Sequence, residues 1–112
     1  MNKINIKELD EKMLRLGFRD NLSGTAMLRI AIREWEPGMS MTKELYPTIA
    51  RHMGTTPARV ERSCRHAIES AFDRGSLDTI RSLFGYSLSP DRGCPTVGEF
   101  VARMVRVCAD ED

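Results

Sequence analysis

Paired cysteines, long apolar runs and net charge are what this chain has least of. Its three cysteines, Cys64, Cys94 and Cys108, are odd in number and scattered, with neither a Cys-x-x-Cys pair nor the Cys/His spacing of a zinc finger. A disulfide framework and a structural metal are therefore not expected, and a reducing compartment is. Cys64 and Cys108 fall on apolar helix faces, where a thiol behaves as a small hydrophobe. No apolar run approaches the roughly 18 residues of a membrane helix, and the N-terminal segment lacks the apolar stretch of a signal peptide. The expectation is a cytoplasmic chain with no membrane partner. Alternating strand patterns, repeats and low-complexity tracts are missing as well. So are a phosphate-binding glycine loop, a metal-ligand cluster and a His–carboxylate set at recognisable spacing. No catalytic residue, metal or cofactor is expected, and an enzyme is the poorest of the functional readings.

What is present is 112 residues with 41% hydrophobic and 29% charged side chains, enough for one helical domain over residues 1–112 with its own core. The net charge of +1 hides an uneven distribution. Between Arg51 and His66 lie Arg51, Arg59, Arg62, Arg65 and both histidines against one acid, Glu61, whereas the chain ends in Asp110-Glu111-Asp112. A local basic face on a nearly neutral chain suits a binder that reads bases as well as attracting phosphate.

The apolar spacing predicts about six helices. Asn5 and Glu8 form a capping pattern before Ile6, Leu9, Met13 and Leu16, and Gly17 ends the first helix. Asp20 to Ser23 supply the next start, with Ala26, Met27, Ile30, Ala31 and Trp35 as its stripe and Pro37-Gly38 as its stop. Thr42 can cap a third helix that buries Leu45, Ile49, Ala50 and Met53 and either begins near Pro47 or bends there. Thr56-Pro57 starts a fourth, which carries Val60, Cys64, Ala67, Ile68, Ala71 and Phe72 on one side and Arg59, Arg62, Arg65, His66 and Glu69 on the other. Ser76 caps a short fifth helix bearing Leu77, Ile80, Leu83 and Phe84. A loop covers Tyr86 to Pro95, and Thr96 with Glu99 makes a capping box for the last helix, with Phe100, Val101, Met104, Val105 and Cys108 inward.

Residues 43–74 read as a helix-turn-helix. Ala50 gives a small side chain where two helices cross, Gly54 can take the positive φ of the turn, and Val60 packs into the angle between them. If the second helix, 57–74, enters the major groove of double-stranded DNA by its first turns, Ala58, Arg59, Glu61, Arg62 and Arg65 come nearest to the bases. Arginine can bond guanine O6 and N7 together, and glutamate can accept from cytosine N4. The plainer alternative is a solvated face, with Arg62 paired to Glu69 or Arg65 to Glu61. His66, at the edge of that face, is open to phosphate, to a neighbouring side chain, or to neither.

These residues also carry a resemblance. Thr42-Lys43-Glu44-Leu45-Tyr46-Pro47, Ile49-Ala50, Thr55-Thr56, Arg59-Val60-Glu61-Arg62, Arg65-His66-Ala67-Ile68-Glu69, Arg74-Gly75 and Ser82-Leu83-Phe84-Gly85-Tyr86 closely resemble the C-terminal DNA-binding domain of the stage-zero sporulation protein A family, from about Leu16 to Ala102. The resemblance implies a six-helix bacterial transcription-factor domain, nucleoid-associated when bound, whose fourth helix reads a short G/C-containing box. It also implies a head-to-tail dimer on tandem DNA sites. Carried over by position, Arg59, Glu61 and Arg62 are the implied base readers, and Thr56, Ala58, Arg65 and His66 the neighbouring, chiefly backbone, contacts. Gly75 to Phe84, with Thr79, Arg81 and Phe84, is the implied surface for the sigma subunit of RNA polymerase, although Leu77, Ile80, Leu83 and most of Phe84 are explained equally well as core.

The phosphoacceptor receiver domain that precedes this domain in the family has no counterpart in the sequence. The expectation is an effector domain excised from a longer regulator or a short stand-alone relative. The competing reading of a different class is a non-catalytic interaction module that keeps the fold and pairs with a full-length relative.

Overall fold

A computed structural model describes residues 4–85 and 93–110, and among them the chain is all helical, with six α-helices and no sheet. They are α1 Ile6–Arg15, α2 Ser23–Glu34, α3 Tyr46–Met53, α4 Pro57–Arg74, α5 Leu77–Phe84 and α6 Val97–Cys108, with a single wide π-helical turn, Met41–Leu45, in front of α3. Of the expected 86–95 loop, residues 86–92 lie outside the described residues.

Most helix starts follow their capping residues. The side chains of Asn5, Thr56, Ser76 and Thr96 each accept a hydrogen bond from the backbone N–H three residues on, and Thr96 and Glu99 close the full capping box. Asn5 forms only half a box. Its own N–H instead donates to the Cys108 carbonyl at 2.8 Å, in an isolated antiparallel bridge where Ile4 meets Ala109.

Two starts differ from expectation. α2 has Leu22, not a polar residue, at its N-cap and makes no side-chain cap there, because Ser23 is already the first helical residue. Ahead of α3 the cap is Ser40, not Thr42: Ser40 accepts from the Lys43 N–H, and the Leu45 and Tyr46 N–H groups reach back five residues to the Ser40 and Met41 carbonyls. The wide turn lets Pro47 enter. A regular α-turn would set its ring against the Lys43 carbonyl, and proline has no N–H to bond it. α3 therefore begins at Tyr46, immediately before the proline.

The core runs through all six helices, with Leu9, Met13, Leu28, Ile32, Ile49, Val60, Ile68, Phe100 and Met104 fully buried. Phe100 sits at its centre, with ring centroids 5.2 Å from Phe18, 5.8 Å from Phe84 and 6.2 Å from Phe72. In α2 the buried stripe is Met27, Leu28, Ala31 and Ile32, and Ala26 is exposed. Met53 and Leu77, expected inside, are exposed as well, because each lies at a helix terminus where no neighbouring helix extends over it.

α4 packs most extensively on α2, and glycine makes that approach possible. A Cβ on Gly24 would lie 2.0 Å from the Ser63 carbonyl oxygen and 2.9 Å from the Ala67 Cβ. This crossing fixes the N-terminal end of α2 against the middle of α4. Thr25, next to it and fully buried, satisfies its hydroxyl by donating to the Arg19 carbonyl at 2.7 Å.

Candidate nucleic-acid interface

α3 and α4 form the helix-turn-helix pair that the sequence predicts. Gly54 ends α3 in the left-handed conformation at φ 66°, and the N–H groups of Gly54 and Thr55 both donate to the Ala50 carbonyl. A residue with a Cβ is strained at that φ, so glycine suits the turn. Ala50 and Val60 are buried in the angle between the two helices. Thr56 then accepts from the Arg59 N–H at 3.3 Å, and Pro57 opens α4 with its φ already helical.

From that start, Val60, Cys64, Ala67, Ile68 and Ala71 face the core. Thr56, Ala58, Arg59, Arg62, Arg65 and His66 are all exposed, and Glu61 is half-buried at the edge. The first three turns of α4 thus bring together every residue expected to meet DNA. Three guanidinium groups share this end with the positive pole of the helix dipole, and Arg51 and His52 are exposed at the end of α3 before the turn.

One side-chain contact organises the face. Arg65 Nε donates to Glu61 Oε2 at 3.0 Å, one helical turn apart, which is one of the two ion pairs expected of a plain solvated face. No Arg62–Glu69 pair occurs among the described residues, and Arg62 keeps its donors for another partner. The hydrogen bond and then the charge of Glu61 raise the Arg65 pKa further above its ordinary value. Beneath the helix, burial first and then the Glu61 charge push the Cys64 thiol up to about 12. Burial, followed by Cys64 and Glu61, pushes the Tyr46 phenol up to about 12. Both groups are neutral at physiological pH and add no charge to the face.

Sequence reasoning missed the contribution of α2. A cleft of about 440 Å³ lies between α2 and α4, where Ser23 and Gly24 join Arg62, Ser63, His66 and Glu69. Only the small pair Ser23-Gly24 hinted at it, since which helix crosses α4 is a tertiary fact. On α5, Thr79 is half-buried and Arg81 exposed, but Phe84 is 5% exposed and packs on Phe72 and Phe100. Its core role, open in the sequence, is the one it fills. Leu77, 58% exposed, is the apolar group that α5 offers outward.

The described residues hold no group of three or more His, Cys, Asp or Glu side chains arranged to bind a metal ion, and none of their helices is long and apolar enough to cross a membrane. Residues 9–107 match the family described as Sporulation initiation factor Spo0A C terminal. That match covers most of the chain, which therefore belongs to this family of non-catalytic DNA-binding regulatory domains.

Proposed function

From membership of the Spo0A C-terminal family we infer that the chain is a sequence-specific DNA reader whose α4 enters the major groove by its N-terminal turns. The observation that carries this reading is the one-sided array on α4, with Arg59, Arg62 and Arg65 exposed directly after a glycine turn and a satisfied N-cap. Arg59 and Arg62 take guanine edges, and Glu61 accepts from a cytosine amine. Thr56, Ala58, Arg65 and His66 line the flanking backbone. The Glu61–Arg65 bond has a part in this reading, since it holds the carboxylate in one orientation before DNA arrives, and preorganised groups lose less freedom on binding.

Finer assignments follow from the same premise. Neighbouring copies bind head to tail on tandem boxes, and the exposed part of α5, with Thr79, Arg81 and Leu77, faces the sigma subunit of RNA polymerase. The site of action is the cytoplasmic nucleoid. A gel-shift competition tests the core of the proposal: a duplex selected from a randomised pool should outcompete its scrambled counterpart at physiological salt by at least about a thousandfold. Equal competition by the two duplexes refutes specific reading, and retention of a full-length relative without any shift would favour the interaction module.

A further inference from the structure

The cleft of about 440 Å³ between α2 and α4 is left unused by the reading of bases. It opens beside the crossing at Gly24, where α2 comes so close to α4 that a Cβ would meet the Ser63 carbonyl. Ser23 of α2 borders it together with Arg62, Ser63 and His66 of α4, and Glu69 is its one carboxylate among the described residues. Arg65 reaches its edge but is bonded to Glu61. The side chains of Ser23, Arg62, Ser63 and His66 make no hydrogen bond or ion pair among the described residues. Each carries at least one donor, the imidazole in either of its protonation states. At 100° per residue, His66 stands about 60° round α4 from Ser63 and Glu69 about 120°. The donors therefore gather on the α2 flank of the reading helix, with the carboxylate beyond them.

A phosphodiester offers only acceptor oxygens and one negative charge, the complement of that lining. The chain belongs to a DNA-binding family, and a helix lying in a major groove about 12 Å wide has a sugar-phosphate strand along each flank. We propose that a DNA backbone phosphate seats in the α2–α4 cleft, held by the Ser23 hydroxyl from α2 and by His66 and Ser63 from α4. α2 is then a second DNA-contacting element, and because the Gly24 crossing locks it to α4, the contact fixes how α4 is turned in the groove. Arg62, at the rim, keeps its guanidinium for a base. The contact positions the protein and carries no sequence information of its own. This inference rests on α4 being the helix in the groove, and adds to that reading the element and the residue, Ser23, that set its register.

Fluorescence anisotropy of labelled duplexes with the 112-residue chain tests the seat. Ser23→Asp sets a carboxylate against the phosphate and should weaken the selected and the scrambled duplex alike, by at least about tenfold. The variant should unfold no earlier than the wild type, because an acid suits the first turn of a helix, so the lost affinity is not lost fold. Ser23→Lys adds a cation at the seat, and the plot of log affinity against log salt should steepen by about 0.9, the release of one further counterion. Ser82→Asp and Ser82→Lys make the same changes of net charge on α5, whose Phe84 packs on Phe72 near the far end of α4, and should leave affinity and slope as in the wild type. Wild-type affinity in Ser23→Asp, an unchanged slope in Ser23→Lys, or equal effects at Ser82 overturns the seat. So does an altered box preference in either Ser23 variant, since a phosphate contact is blind to sequence. The seat and the reading helix fail separately. Relaxed base choice in Arg59→Ala and Arg62→Ala beside wild-type affinity in Ser23→Asp refutes the seat alone, and unchanged base choice in both arginine variants refutes α4 as the reader and the seat with it.

Discussion

Replacing Gly24 by alanine is the most sensitive probe of how the fold sets the reading helix. The new Cβ would stand 2.0 Å from the Ser63 carbonyl oxygen, 2.6 Å from the Ser63 carbonyl carbon and 2.9 Å from the Ala67 Cβ. Carbon–oxygen contacts settle at about 3.3 Å or more, so α2 and α4 must separate by roughly an ångström, and the obstacle is backbone that cannot rotate away. Overpacking of this kind costs about 1–3 kcal/mol. Alanine's helix propensity returns at most about 1 kcal/mol, and less so near a helix start. The net expectation is a loss of about 2 kcal/mol, a fall in melting temperature on the order of 10 °C for a domain of this size. Thermal unfolding followed by far-UV circular dichroism, with urea midpoints as a check, measures it. Since the same crossing places Ser23 beside Arg62 and His66, DNA affinity should fall with stability. A Gly24→Ala chain as stable as the wild type would refute the reasoning, because the close approach would then not exist in solution.

Val60→Ala, which empties a fully buried position behind the reading face, should lower unfolding free energy by about 2 kcal/mol in urea titration. Thr56→Ala removes the cap of α4 and should cost about 1 kcal/mol, checked in the same way, with Thr56→Ser restoring most of it. Alkaline unfolding should begin above pH 9. Cys64 and Cys108, raised by burial to about 12 and about 11, and Tyr46, raised to about 12, ionise first in the unfolded chain, so stability is full below their unfolded pKa values and declines toward the folded ones. Unfolding curves from pH 8 to 12 should show a shallower decline for Cys64→Ala than for the wild type.

Much of this architecture is legible along the chain, because short-range chemistry writes it there. Thr56-Pro57, the Thr96–Glu99 box and Gly54 are local devices, and each sits where its residue type requires. The apolar stripe of α4 is equally local, a consequence of helical period. Helix ends were less legible: Met53 and Leu77 fit the periodicity, but burial depends on a neighbour that sequence spacing does not supply. Spacing left α3 either to begin near Pro47 or to bend there; it begins at Tyr46, behind a wide turn capped at Ser40 that spacing alone does not specify. The same limit applies to the reading face. Sequence spacing allowed Arg62–Glu69 and Arg65–Glu61 alike, and only rotamers decide that Arg65 binds Glu61 while Arg62 stays available. The α2–α4 cleft is tertiary from the outset, since it joins residues from separate helices.

The central claim, that the first turns of α4 read base sequence, is tested most directly by selecting duplexes from a randomised pool with the wild-type chain and with Arg59→Ala, Glu61→Gln and Arg62→Ala. All three positions are on the surface side of α4, so the variants should fold like the wild type. Each should relax preference at its own base pair by about 1–3 kcal/mol and leave the other positions of the box unchanged. Variants that lose affinity uniformly over all sequences, or that select the same box as the wild type, would contradict the account.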